Sequence, residues 1–88
     1  MEREIRISAF SEVKAIHDAA REIDSEIGVH DFNGSIADAK SLLGLMSLDY
    51  SEPVKIVSEN ERAVLYVIRM LADNNDWNKI FERLNPSL

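Results

Sequence analysis

The feature that most limits what this chain can fold into is the run Leu42-Leu43-Gly44-Leu45-Met46-Ser47-Leu48, which is large and apolar at every position but Gly44 and Ser47. Ser41 stands just before it, where a hydroxyl can accept a hydrogen bond from an orphan backbone N–H at the start of a helix. A helix this short cannot bury all of those sides against one sheet. Part of its apolar surface is therefore expected to face solvent or a partner. Upstream, Asn33-Gly34 reads as a two-residue hairpin turn of type I′, because both residues tolerate the positive φ that such a turn requires. Ile36 then opens the strand that leaves the turn.

The flanking sequence supplies the elements this helix needs to pack on. Glu4-Ile5-Arg6-Ile7-Ser8 alternates polar and apolar, the pattern of a half-buried strand with Ile5 and Ile7 inward. From Glu12 to Asp24, Val13, Ile16, Ala20 and Ile23 fall at spacings of three and four and define one helix face, with Ser8 or Ser11 available as cap. Glu26 to Asp31 alternates again, with Ile27 and Val29 inward. Asp49 to Pro53 reads as a turn, and Val54 to Val57 as a fourth strand. Ser58-Glu59-Asn60-Glu61 fits a capping box, opening a helix with Val64, Val67, Ile68 and Leu71 on one face and an end near Asn74-Asn75. The order β-α-β-β-α-β-α predicts an α+β two-layer sandwich, an antiparallel four-stranded sheet with its helices on one side.

Beyond Asn75, Trp77, Ile80, Phe81 and Leu84 recur at helical spacing, with Asp76 as cap. This predicts a short helix from Asp76 to Leu84 within a C-terminal extension, 76–88, packed on a domain at 1–75. It is expected to fold back through Asp73-Asn74-Asn75 and dock Trp77 and Phe81 near Leu65 and Tyr66. A weak homodimer is the competing use of the same apolar surface.

Eighty-eight residues make one small domain. The chain has no cysteine, which removes disulfides and thiolate metal sites. Its formal charge of -6 argues against a nucleic-acid partner held through phosphates. No apolar run reaches the length of a membrane span or a signal peptide, so the expectation is a cytoplasmic protein without a membrane or nucleic-acid partner. No cofactor or metal is implied.

Ala39-Lys40-Ser41-Leu42-Leu43-Gly44-Leu45-Met46-Ser47-Leu48 resembles the regulatory-serine helix of HPr, the histidine-containing phosphocarrier protein of the bacterial sugar phosphotransferase system. Ser25 to Gly34 is similar to that family's second strand and hairpin, and Ser58 to Ala72 to its last helix, so the likeness covers most of residues 5–72. It implies the HPr-like open-faced sandwich already read from the pattern. It also implies protein partners: phosphotransferase enzymes, a serine kinase or a transcription regulator.

The family holds its phosphoryl group on a histidine within Gly-[Ile/Leu]-His-x-Arg-Pro-Ala, at the start of the first helix. There the helix-end N–H groups and the arginine stabilise it. The corresponding segment here, Ser8-Ala9-Phe10-Ser11-Glu12-Val13-Lys14, is shorter and has no histidine, arginine, proline or glycine. Phosphohistidine transfer in the usual manner is therefore expected to be absent, and the protein to be non-catalytic.

Three features could still carry function. Ser41 matches the serine that a dedicated kinase phosphorylates in many Gram-positive relatives. A helix N-terminus favours a dianion there, although an N-cap role alone also accounts for the residue. Leu42, Leu43 and Met46 match the outward residues through which HPr meets its partners, with Ser47 beside them, while Leu45 and Leu48 match the inward ones. His17 is the alternative phosphohistidine, with Arg21 one turn further on. On its own residues it reads as a partly buried helix histidine, and no second ligand stands at i+3 or i+4 for a metal. His30 falls on the polar side of its strand. The readings are a non-catalytic, partner-binding HPr relative, a working phosphocarrier that uses His17, and an interaction module unrelated to sugar uptake.

Overall fold

A computed structural model describes residues 1–84, with side chains described as far as Asn74. Its elements are β1 (Glu2–Ile5), α1 (Phe10–Arg21), β2 (Gly28–His30), β3 (Ile36–Asp38), α2 (Leu42–Met46), β4 (Val54–Val57) and α3 (Glu61–Leu84). The sheet is antiparallel throughout, in the order β1-β4-β2-β3. Helices α1 and α3 pack against each other, and α2 packs on α1 and β3. The alternation along the strands sends Val29, Ala37, Val54 and Ile56 to the helix side. There they close a core with Ile16, Ile27, Leu45, Val64 and Val67, all of them buried.

The strand boundaries follow from the ladder. β1 lies earlier than the alternation around Ile5 and Ile7 predicts, because its pairing ends at Ile5↔Val54. The next residue along β4's path is Pro53, which has no N–H to donate. Ile7 is still buried, but from the connection that follows the strand. At the other end, Met1 and Ser58 exchange backbone bonds and extend the pair by one step.

The hairpin differs from the type I′ expectation. Only Gly34 has a positive φ, of 89°, and the Gly34 N–H donates to the Asp31 carbonyl while the Asp31 N–H donates to the Ser35 carbonyl. This is a type I turn followed by a left-handed glycine, the three-residue alternative to the two-residue loop. Asp31 accounts for the choice. Its buried carboxylate accepts from the Asn33 and Ser35 N–H groups, which favours the wider loop.

Both helix caps differ too. α1 begins at Phe10 behind Ala9, which makes no side-chain cap, and neither Ser8 nor Ser11 caps it. Instead the buried Glu12 carboxylate reaches back to accept from the Ser8 N–H and Ser8 Oγ, both at 2.9 Å. At α3 the cap is Asn60, whose Oδ1 accepts from the Arg62 N–H. Ser58 is drawn inward, where its hydroxyl donates to the Glu26 carbonyl at 2.7 Å.

The helix expected to end near Asn74-Asn75 runs unbroken to Leu84. The separate C-terminal helix is therefore the continuation of α3, and the chain reversal at Asp73-Asn74-Asn75 is not made. Those residues lack the positive-φ glycine that commonly ends a helix. At about 1.5 Å per residue, position 81 stands about 22 Å along the axis from position 66, too far to fold back onto it. The side chains of Trp77 and Phe81 lie outside the described residues. Tyr66 has another use: it packs against the core, and its hydroxyl donates to the Glu22 carboxylate, joining α3 to the end of α1. That bond, and burial after it, pushes the Tyr66 phenol above its ordinary range.

Candidate partner-binding site

The Leu/Met run forms α2 as a ridge with two unlike sides. Leu45 is fully buried and Leu48 nearly so, whereas Leu43 is 82% exposed and Met46 53% exposed. Leu42 is half-buried against the core. The Ser41 hydroxyl accepts from the Gly44 N–H at 3.2 Å and starts the helix as the sequence predicts. Gly44 makes room for that bond, since a Cβ there would stand 3.2 Å from Ser41 Oγ. The helix is two residues shorter than the apolar run. Ser47 closes it, with its hydroxyl donating to the Gly44 carbonyl at 2.6 Å.

Behind the ridge, polar groups that composition does not reveal hold α2 in place. The Tyr50 hydroxyl donates to the Leu45 carbonyl at the helix end. Burial, helped by the negative charge of Asp31, pushes the Tyr50 phenol up to about 12. Asp31 also accepts from the Asp49 N–H at 3.1 Å, so one carboxylate ties the β2–β3 hairpin to the chain leaving α2. The Asp49 carboxylate in turn accepts from Ser51 and from Asn33 Nδ2. The Ser51 hydroxyl and N–H hold the Asp49 carboxyl below its ordinary value. The sequence signal was Asp31 one residue after a strand and Asp49 one residue before Tyr50, each legible only as a turn residue.

His17 Nδ1 lies 3.1 Å from the carbonyl of Ala39, two residues before Ser41. The imidazole thus joins α1 to the chain entering α2, and the half-buried ring has a structural partner. Arg21 lies one turn further along α1, exposed at its end, and among the described residues no hydrogen bond joins it to His17. His30 stands half-buried on the far side of the sheet from the helices, away from both.

At the amino end of α1, the connection after β1 and the α2 ridge enclose a groove of about 510 Å³. Its floor is Ile7 and Val13, both buried, and its rim is Phe10, Met46 and Tyr50, with Arg6 as the only charged side chain among the described residues that line it. The groove and the outward ridge share Met46. They form one apolar surface on one side of the molecule.

The crystal structure of HPr-C-His from Thermoanaerobacter tengcongensis is similar to this chain at 26% sequence identity. The TM-score is 0.67, and the alignment covers 84% of this chain and 93% of that one. The fold is HPr-like. No protein-family model matches the chain, and no curated protein matches its sequence. The HPr-like likeness is thus carried by structure. Among the described residues, no helix is long and apolar enough to cross a membrane.

Proposed function

We propose that this chain is a non-catalytic relative of the HPr phosphocarriers that acts by binding protein partners through α2. It uses Leu42, Leu43, Met46 and Ser47, and works in the cytoplasm alongside the sugar phosphotransferase system. The observation that carries this reading is the exposure of Leu43 and Met46 on a ridge whose other side is anchored in the core. An adaptable apolar ridge that exposes no charge suits docking of another protein's helix or groove. The adjoining groove supports the same reading. At the start of α1, where HPr proteins carry phosphohistidine, this chain has Phe10 and an apolar floor.

Ser41 is the regulatory position. It is exposed at the foot of the ridge. A phosphate there adds about two negative charges beside Leu42 and Leu43 and replaces the hydroxyl that holds Gly44. The partners by resemblance are phosphotransferase enzymes, a serine kinase or a transcription regulator.

Titration of the isotope-labelled protein with the general phosphotransferase enzyme tests the reading. Amide shifts are expected to concentrate at Leu42, Leu43, Met46 and Ser47, and Leu43→Asp is expected to weaken binding at least about tenfold. Binding centred elsewhere, or unchanged by Leu43→Asp, contradicts it. Failure to bind any phosphotransferase component or serine kinase points to an interaction module unrelated to sugar uptake.

A further inference from the structure

The face of the sheet turned away from the helices carries a second, chemically different groove. Strand register sets its surface. One row across the four strands reads Glu4, Lys55, His30 and Ile36; the next reads Glu2, Val57, Gly28 and Asp38. The groove, of about 650 Å³, is bordered by the first row, by Glu2, and by Phe32 and Glu52 from the adjoining turns. Phe32 is 54% exposed and Ile36 68% exposed, so two large apolar side chains stand open beside carboxylates.

The charges do not balance. Lys55 Nζ lies 3.9 Å from Glu2 and answers that carboxylate. Among the described residues neither Glu4 nor Glu52 has an ion-pair partner. Asp31 also borders the groove, but its oxygens are taken up by three backbone N–H groups.

We infer that this face binds an arginine-bearing segment of a partner protein. A guanidinium is planar, so it can stack on the exposed Phe32 ring while its N–H fork donates to a carboxylate. Its methylene stem is apolar enough to lie along Ile36. A lysine ammonium offers the charge without the plane or the fork, and an acidic segment meets Glu4 and Glu52 as like charges. The surface lies across the sheet from α2, so it operates independently of the ridge.

The probe is the blocked peptide acetyl-Leu-Arg-Leu-Arg-amide, with lysine and glutamate versions, titrated into isotope-labelled protein. The arginine peptide is expected to give saturable shifts at Glu4, His30, Phe32, Ile36 and Lys55, the lysine peptide weaker ones, and the glutamate peptide none. Phe32→Ala and Glu52→Gln each weaken binding about fivefold. Lys55→Gln tightens it by a similar factor, which loss of fold cannot produce. Leu43→Asp leaves it unchanged, which separates this surface from the α2 ridge. Absence of saturable shifts on this face, equal response to all three peptides, or no gain in Lys55→Gln overturns the inference.

Discussion

Asp31 and Tyr50 show how single polar side chains set the geometry of an apolar ridge. Asp31 satisfies N–H groups on two turns that are far apart in sequence, and Tyr50 closes the end of α2. The raised Tyr50 phenol makes this arrangement sensitive to alkali. Its ordinary value is 10.0 and its folded value about 12, so the folded state holds the proton more tightly. The stability this confers is present in full below pH 10 and is lost as pH rises through about 12. Tyr66 is shifted the same way. The comparison is therefore between Tyr66→Phe and the double variant Tyr50→Phe, Tyr66→Phe. In urea denaturation their stability difference is expected to hold steady up to pH 10 and shrink from pH 10 to 12. A difference independent of pH across that window rules out the assigned environment of Tyr50.

At the level of elements, α2 is held by one cap, one buried leucine and its closing residues. Ser41→Ala is expected to lower stability by about 1 kcal/mol, the worth of an N-cap, and Ser41→Asp to retain most of it. Urea midpoints of the two variants check this, and equal losses in both would show that the side-chain oxygen is not what starts the helix. The helix was legible in the sequence from Ser41 as a cap ahead of the apolar run, and β4 because turn residues bracket it. The resemblance also made legible the inward side at Leu45 and Leu48 and the outward side at Leu43 and Met46, but not Leu42, which was expected outward and packs half-buried against the core. What was not legible depended on contacts between distant residues. Asp31 turned an Asn-Gly turn into a wider loop, Glu26 drew Ser58 away from its cap, and Glu22 claimed Tyr66. Local sequence also placed a break at Asn74-Asn75 that α3 does not make. Two asparagines lower helix propensity without ending a helix as proline would.

For the molecule as a whole, the sheet separates two surfaces. The helix side presents an apolar ridge and groove; the opposite side presents carboxylates around Phe32 and Ile36. An HPr-like fold with such surfaces is a scaffold for meeting other proteins, and fold alone does not decide whether it passes phosphate between them. The residues at the start of α1 bear on that question. Phe10 and Ser11 cannot stand in for an imidazole and a guanidinium, Glu12 is turned into the loop, and His17 is engaged with Ala39. On the function proposed above, the chain docks without carrying phosphate. The most direct test is incubation with phosphoenolpyruvate and the general phosphotransferase enzyme, followed by assay of acid-labile phosphate on the intact protein and on His17→Ala. No acid-labile phosphate is expected on either. Stoichiometric phosphate on the intact protein that disappears in His17→Ala would contradict it.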